Sequence, residues 1–76
     1  SRGQMRWAVR RGLLELDLIL GPFLDNQFTE LSDRMQRQFM GLLSFPDQQL
    51  FDWLVKKEPV QDSSVIEIVE VIKLIS

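Results

Sequence analysis

Apolar positions along the chain recur at helical spacing in five stretches. Four points of punctuation separate them: Arg11-Gly12, Leu31-Ser32, Pro46-Asp47 and Lys57-Glu58-Pro59. Met5 to Arg10 predicts a short first helix. Gly12 closes it, since glycine accepts the positive φ of a helix C-terminal turn. Leu13 to Phe28 predicts a second helix, with Leu13, Leu16, Leu20, Phe23 or Leu24, and Phe28 forming a broad apolar face. Pro22 removes a hydrogen bond and crowds the preceding turn, which predicts a kink there, because the apolar stripe keeps its register through it. Ser32 is a good N-cap for a third helix, with Asp33 in its first turn. Met35, Phe39, Leu42 and Leu43 then share a face, and Gly41 falls on the opposite side with Arg34, Arg37 and Gln38. Asp47 is expected to cap a fourth helix through Lys56. Lys56 and Lys57 sit where the helix dipole favours cations, and Pro59 prevents continuation.

The segment Val65 to Ile75 has two readings. Seven of its eleven residues are β-branched, which favours a strand. Glu67, Glu70 and Lys73, however, recur every three residues, whereas a half-buried strand needs a period of two. A helix is therefore expected, capped by Asp62 or Ser63. Its polar stripe is narrow, so the helix either packs on two sides or exposes an apolar surface to a partner. Five helices joined by short links predict an all-α, compact five-helix bundle forming a single domain over residues 1–76.

Composition narrows the function more than the fold. The chain has 76 residues, 45% hydrophobic and 26% charged, and no Cys, His or Tyr. Disulfides, the Cys/His ligand sets of structural zinc, and thiol or imidazole catalysis are all excluded. A binding module is expected rather than an enzyme. The formal net charge of -2 conceals an asymmetry. Residues 1–11 carry Arg2, Arg6, Arg10 and Arg11 with no acid, while the rest of the chain carries five cations against eleven acids. Four arginines on an acidic body are a thin footprint for nucleic acid. No apolar run approaches the length that spans a bilayer. The basic start leads into Glu15 and Asp17 rather than a secretory apolar region. The absence of Cys agrees with a reducing cytoplasmic setting.

The informative stretch is Trp7-Ala8-Val9-Arg10-Arg11-Gly12-Leu13-Leu14-Glu15-Leu16-Asp17. Gly12 permits a sharp turn and close approach of another surface. Glu15 falls in the first turn of the second helix, where free N–H groups favour a carboxylate. Arg11 is a planar donor fork suited to a carboxylate, a phosphate or carbonyl oxygens. Trp7 lies three and four residues from Arg10 and Arg11, so either guanidinium can lie over the indole. Glu15 and Asp17 point to different sides of a helix and cannot act as a catalytic dyad. From spacing alone, a helix stop, a helix start and an intramolecular ion pair are the favoured account of the stretch, ahead of a binding role.

This stretch resembles the signature of the succinate dehydrogenase assembly factor family, the flavinylation factors, whose hallmark is R-G-x-x-E followed closely by an acidic residue. The likeness extends through Pro22-Phe23, Leu31-Ser32-Asp33, Leu42-Leu43 and Leu50-Phe51-Asp52-Trp53-Leu54, covering roughly residues 5–58. Val65 to Ile75 shows only generic similarity. The resemblance implies a five-helix bundle acting as a small chaperone-like factor. Such factors bind the flavoprotein subunit of succinate dehydrogenase, and of fumarate reductase too, and promote covalent attachment of FAD to a histidine of that subunit. It carries over a partner-binding role to Arg11, Gly12 and Glu15, with Asp17, Trp7 and Arg10 as neighbours. It also implies a monomer with no stably bound cofactor or metal, the FAD belonging to the client. The absence of G-x-G-x-x-G and of a phosphate loop agrees with that. The competing readings are a nucleic-acid-binding domain, an antitoxin-like partner-binding module, and a structural subunit that dimerises through its last helix.

Overall fold

A computed structural model describes residues 2–76, with the side chain of Arg2 left out; that residue's share of the basic arm lies outside the described side chains. Five α-helices form: α1 (Arg2–Val9), α2 (Leu14–Asn26), α3 (Asp33–Leu42), α4 (Asp47–Leu54) and α5 (Ile66–Ile75). The expected all-α five-helix bundle is what the chain adopts. α1 packs on α2, α2 on α4, and both α3 and α4 on α5. Phe39 lies at the centre, stacked on Phe23 with centroids 5.4 Å apart and meeting the edge of Phe28 at 5.7 Å. Leu16, Leu20, Leu24, Leu42, Leu50, Leu54 and Ile68 complete a core that holds no buried polar residue among those described. Each such aliphatic side chain contributes about 1.5–3 kcal/mol by leaving water.

The differences from expectation have local causes. α1 begins at Arg2 rather than Met5 and ends at Val9, where Arg10 N–H donates to the Trp7 carbonyl in a tighter turn. α2 runs through Pro22 but stops at Asn26 instead of Phe28. A single 3-10 turn, Phe28–Glu30, follows and swings Phe28 into the core. The Gln36 amide holds that turn by donating to the Phe28 carbonyl at 3.0 Å. Leu13, assigned to the apolar face, is instead the extended residue preceding α2 and stands 39% exposed.

Ser32 caps α3 as expected, accepting from Met35 N–H at 3.2 Å. Asp47 does not cap α4. Pro46 holds the N-cap position with extended backbone, and Asp47 is the first helical residue, its carboxylate occupied elsewhere. α4 ends at Leu54, before Lys56 and before Pro59 is reached. The chain turns through Lys57 at φ 60°, so a left-handed residue rather than the proline terminates the helix.

Helix, not strand, is the state of the last segment. Asp62 accepts from Ser64 N–H and Ser64 Oγ–H at 2.9 and 2.6 Å, which organises the turn before α5 rather than the helix itself. The cap of α5 comes from α3, where Gln38 Oε1 accepts from Ile68 N–H at 3.1 Å. Gln38 also donates to Glu67, which Arg34 bridges as well. The apolar breadth has two sources: Val65, Ile68, Val69 and Ile72 are buried by packing against α3 and α4, while Ile66, Leu74 and Ile75 stay exposed.

Candidate functional site

The α1–α2 junction is built around two backbone facts. Gly12 is at φ +83°, the only glycine of the described residues with positive φ. An added Cβ there would meet nothing within 4 Å. A side chain at this position would therefore be strained by about 1–2 kcal/mol in its backbone and would project into solvent.

Arg11 is what holds the junction in place. Its Nε donates to Asp47 Oδ1 at 2.7 Å. One terminal nitrogen donates to the Ala8 and Leu43 carbonyls, each at 2.9 Å, and the other to the Phe45 carbonyl at 2.7 Å. Four of its five N–H donors are thus used inside the chain. The carbonyls it reaches lie at the C-terminal ends of α1 and α3 and in the loop before α4. Helix ends leave such groups without intrahelical partners. The side chain is only 15% exposed. Its backbone N–H donates to Asp17 Oδ1 at 2.8 Å, so Asp17 fastens the strand of chain that enters α2.

Arg11 therefore faces inward. Its carboxylate partner is Asp47, not the nearby Glu15 that spacing suggested, and its fork is not laid over Trp7. Glu15 is exposed in the first turn of α2, and its carboxylate has no partner among the described residues. Trp7 is 79% exposed. With Gly3, Arg6 and Arg10 it lines an open groove on the outer side of α1. Arg10 is exposed and makes no ion pair with any described residue, whereas Arg6 pairs with Asp25 of α2.

The motif is thus divided between inward and outward members. Gly12, Glu15, Trp7 and Arg10 are accessible, while Arg11 and Asp17 are tied to the backbone. Asp47, and the carbonyls of Leu43 and Phe45, were not anticipated. They lie 32 to 36 residues from Arg11, and no local spacing signals them. Leu14 and Leu18, 69% and 64% exposed, were also missed. A helical wheel centred on Leu16 and Leu20 places them on the reverse side.

The shifted acids lie elsewhere. Hydrogen bonds from the Gln38 amide and then from Arg34 lower the pKa of Glu67, and those from Ser64 lower that of Asp62. Among the described residues no group of carboxylates could hold a metal ion, and no helix is long and apolar enough to cross a membrane.

Comparison with known proteins identifies the family. The family described as "Flavinator of succinate dehydrogenase" matches residues 3–75. A FAD assembly factor SdhE of Yersinia pseudotuberculosis is 36% identical over 73 residues, covering 96% of this chain and 83% of the relative. One from Shewanella oneidensis is 41% identical over 66 residues, covering 87% and 80%. One from Vibrio vulnificus is 44% identical over 55 residues, covering 72% and 64%. With the match running through all five helices, this chain belongs to the flavinator of succinate dehydrogenase family.

Proposed function

We propose that this chain is an assembly factor that binds the flavoprotein subunit of succinate dehydrogenase, and that of fumarate reductase, and promotes covalent FAD attachment to it. Residues 1–76 act as one helical domain, as a monomer and in the cytoplasm. The observation that carries the reading is the open approach to Gly12 beside the unpaired Glu15. A partner's backbone can come close to Gly12, and a partner's cation or N–H groups can meet Glu15. Trp7 and Arg10 extend this contact surface along α1, while Arg11 and Asp17 hold its shape.

The chain need not supply a catalytic group, having neither His nor Cys. The FAD belongs to the client. The residues at the junction do not fit the cofactor itself, because the Arg11 fork that would meet its phosphates is engaged with Asp47 and three carbonyls. The effect on the client is conformational. A factor that binds one arrangement of the flavoprotein better than another shifts the population toward it. An arrangement that holds the reacting histidine against the flavin gains rate by proximity.

The same geometry favours a protein partner over the nucleic-acid reading. Arg6 is paired with Asp25 and Arg11 is turned inward, leaving Arg10 as the accessible unpaired cation among the described side chains of the arm.

The test is Gly12→Arg. The variant should fold, because space is open at that position, and should lose covalent flavin on the purified apo-flavoprotein subunit, read as flavin fluorescence in a denaturing gel. Wild-type levels of covalent flavin from a folded Gly12→Arg chain would refute the assignment.

A further inference from the structure

A second apolar surface starts inside the motif and leaves it in another direction. α2 buries Leu16, Leu20, Phe23 and Leu24. On its reverse side Leu14 and Leu18 are 69% and 64% exposed, and Pro22 is exposed as well. Their spacing of four sets them in one stripe along the helix. Leu14 stands between Gly12 and Glu15. At the far end, Leu18 and Pro22 open onto a groove of about 210 Å³ between α2 and α5, whose other walls include Ile19, Ile72 and Ile75. Leu14, Leu18 and Pro22 thus line up as one uncovered apolar track.

Two features identify the occupant. From Leu14 to Pro22 the helix rises about 12 Å, at about 10 Å width. That is far below the roughly 800 Å² per partner of a stable interface, so the stripe is too small to hold a second copy of the chain on its own. It is contiguous, however, with the Gly12–Glu15 surface, and Glu15 sits beside Leu18 one turn on with no partner of its own. The surface is therefore a short apolar track with one anion at its start.

We infer that Leu14, Leu18 and Pro22 receive a short apolar segment of the flavoprotein subunit that carries an Arg or Lys level with Glu15. This rests on the function proposed above and specifies the segment of the client that is read. That segment runs along α2 and places an apolar side chain in the groove between α2 and α5.

The test is titration of the purified apo-flavoprotein subunit with the wild-type chain, Leu14→Ser/Leu18→Ser, Gly12→Arg and Leu74→Ser. Leu74, 87% exposed, lies outside the stripe and is the control. All three variants should keep the wild-type helical signal in circular dichroism, since none of these positions is buried. The double variant should bind about 30-fold more weakly, and Leu74→Ser within about 2-fold of wild type. Loss of binding by Gly12→Arg with full affinity in the double variant would overturn the stripe and leave the functional reading standing. Failure of the wild-type chain to bind would overturn both. A double variant that instead abolished concentration-dependent self-association of the chain, with client affinity unchanged, would assign the stripe to a second copy and overturn the inference.

Discussion

Two of the connections between helices each contain a residue with positive φ, and they use it differently. Between α4 and α5 the left-handed residue is Lys57, and the polar groups around it are satisfied nearby. Glu58 N–H donates to the Asp52 carbonyl, Lys56 pairs with Glu58, and Ser64 closes on Asp62. Lys73 of α5 reaches back to the Glu58 carbonyl. Between α1 and α2 the left-handed residue is Gly12, and its neighbourhood is fastened from a distance by Arg11 through Asp47, Leu43 and Phe45. That distant fastening frees the outer side of the turn. The side chains of Glu15, Arg10 and Trp7 are left exposed with no polar or ring partner among the described residues. One connection spends its polar groups on closing the fold, and the other keeps some available to a partner.

The largest expected effect comes from removing the fastening. Arg11→Ala strands three carbonyls and the Asp47 carboxylate. Thermal or urea unfolding should show a loss of about 2–4 kcal/mol, out of the roughly 5–15 kcal/mol typical of a domain. Arg11→Lys should recover only part of it, because an ammonium cannot match the fork. A loss below about 0.5 kcal/mol for Arg11→Ala would show that the connection is held by something else.

A smaller effect follows at the anchor. Asp47→Asn keeps the three carbonyl contacts of Arg11 and loses one half-exposed ion pair, so unfolding should show a loss of about 1 kcal/mol or less. The two left-handed residues then separate by sign. Lys57→Gly should stabilise by up to about 1 kcal/mol by relieving the side-chain clash of that conformation, whereas Gly12→Ala should destabilise by a similar amount.

The smallest effect is in acid. Glu67 and Asp62 have folded-state pKa values below their ordinary 4.5 and 3.8. Their contribution to stability is present above those ordinary values and lost as pH falls through the folded ones. Glu67→Gln should therefore flatten the acid limb of the stability curve below about pH 5, while leaving the junction's behaviour at neutral pH unchanged. A variant whose acid limb coincides with that of wild type would show that the Gln38 and Arg34 contacts to Glu67 do not persist in solution.

How far these connections were legible in the sequence depends on the range of the forces that shape them. Ser32 as a cap, Gly12 as a left-handed turn and the three-residue polar period of α5 are local, and periodicity reads them directly. The role of Asp47 is not local. Its position after Pro46 suggested a cap, and only the fold brings Arg11 to it and turns its carboxylate away from the helix end. The same holds for α5, whose cap is supplied by Gln38 from a neighbouring helix rather than by Asp62. The R-G-x-x-E motif was found as a unit, but its division into an inward arginine and an outward glutamate depends on contacts more than thirty residues away in the chain. Leu14 and Leu18 were hidden for another reason. Attention to the buried stripe of α2 leaves the opposite face unread.

The division of the motif is the central claim, and Glu15 tests it most directly. The measurement is the affinity of Glu15→Gln for the purified apo-flavoprotein subunit by titration calorimetry, with unfolding followed on the same sample. The account predicts an affinity about tenfold or more below wild type, with stability within about 1 kcal/mol of it, since only a first-turn dipole contact is lost. Unchanged affinity, or a loss of binding that merely tracks a loss of stability as large as that of Arg11→Ala, would contradict it.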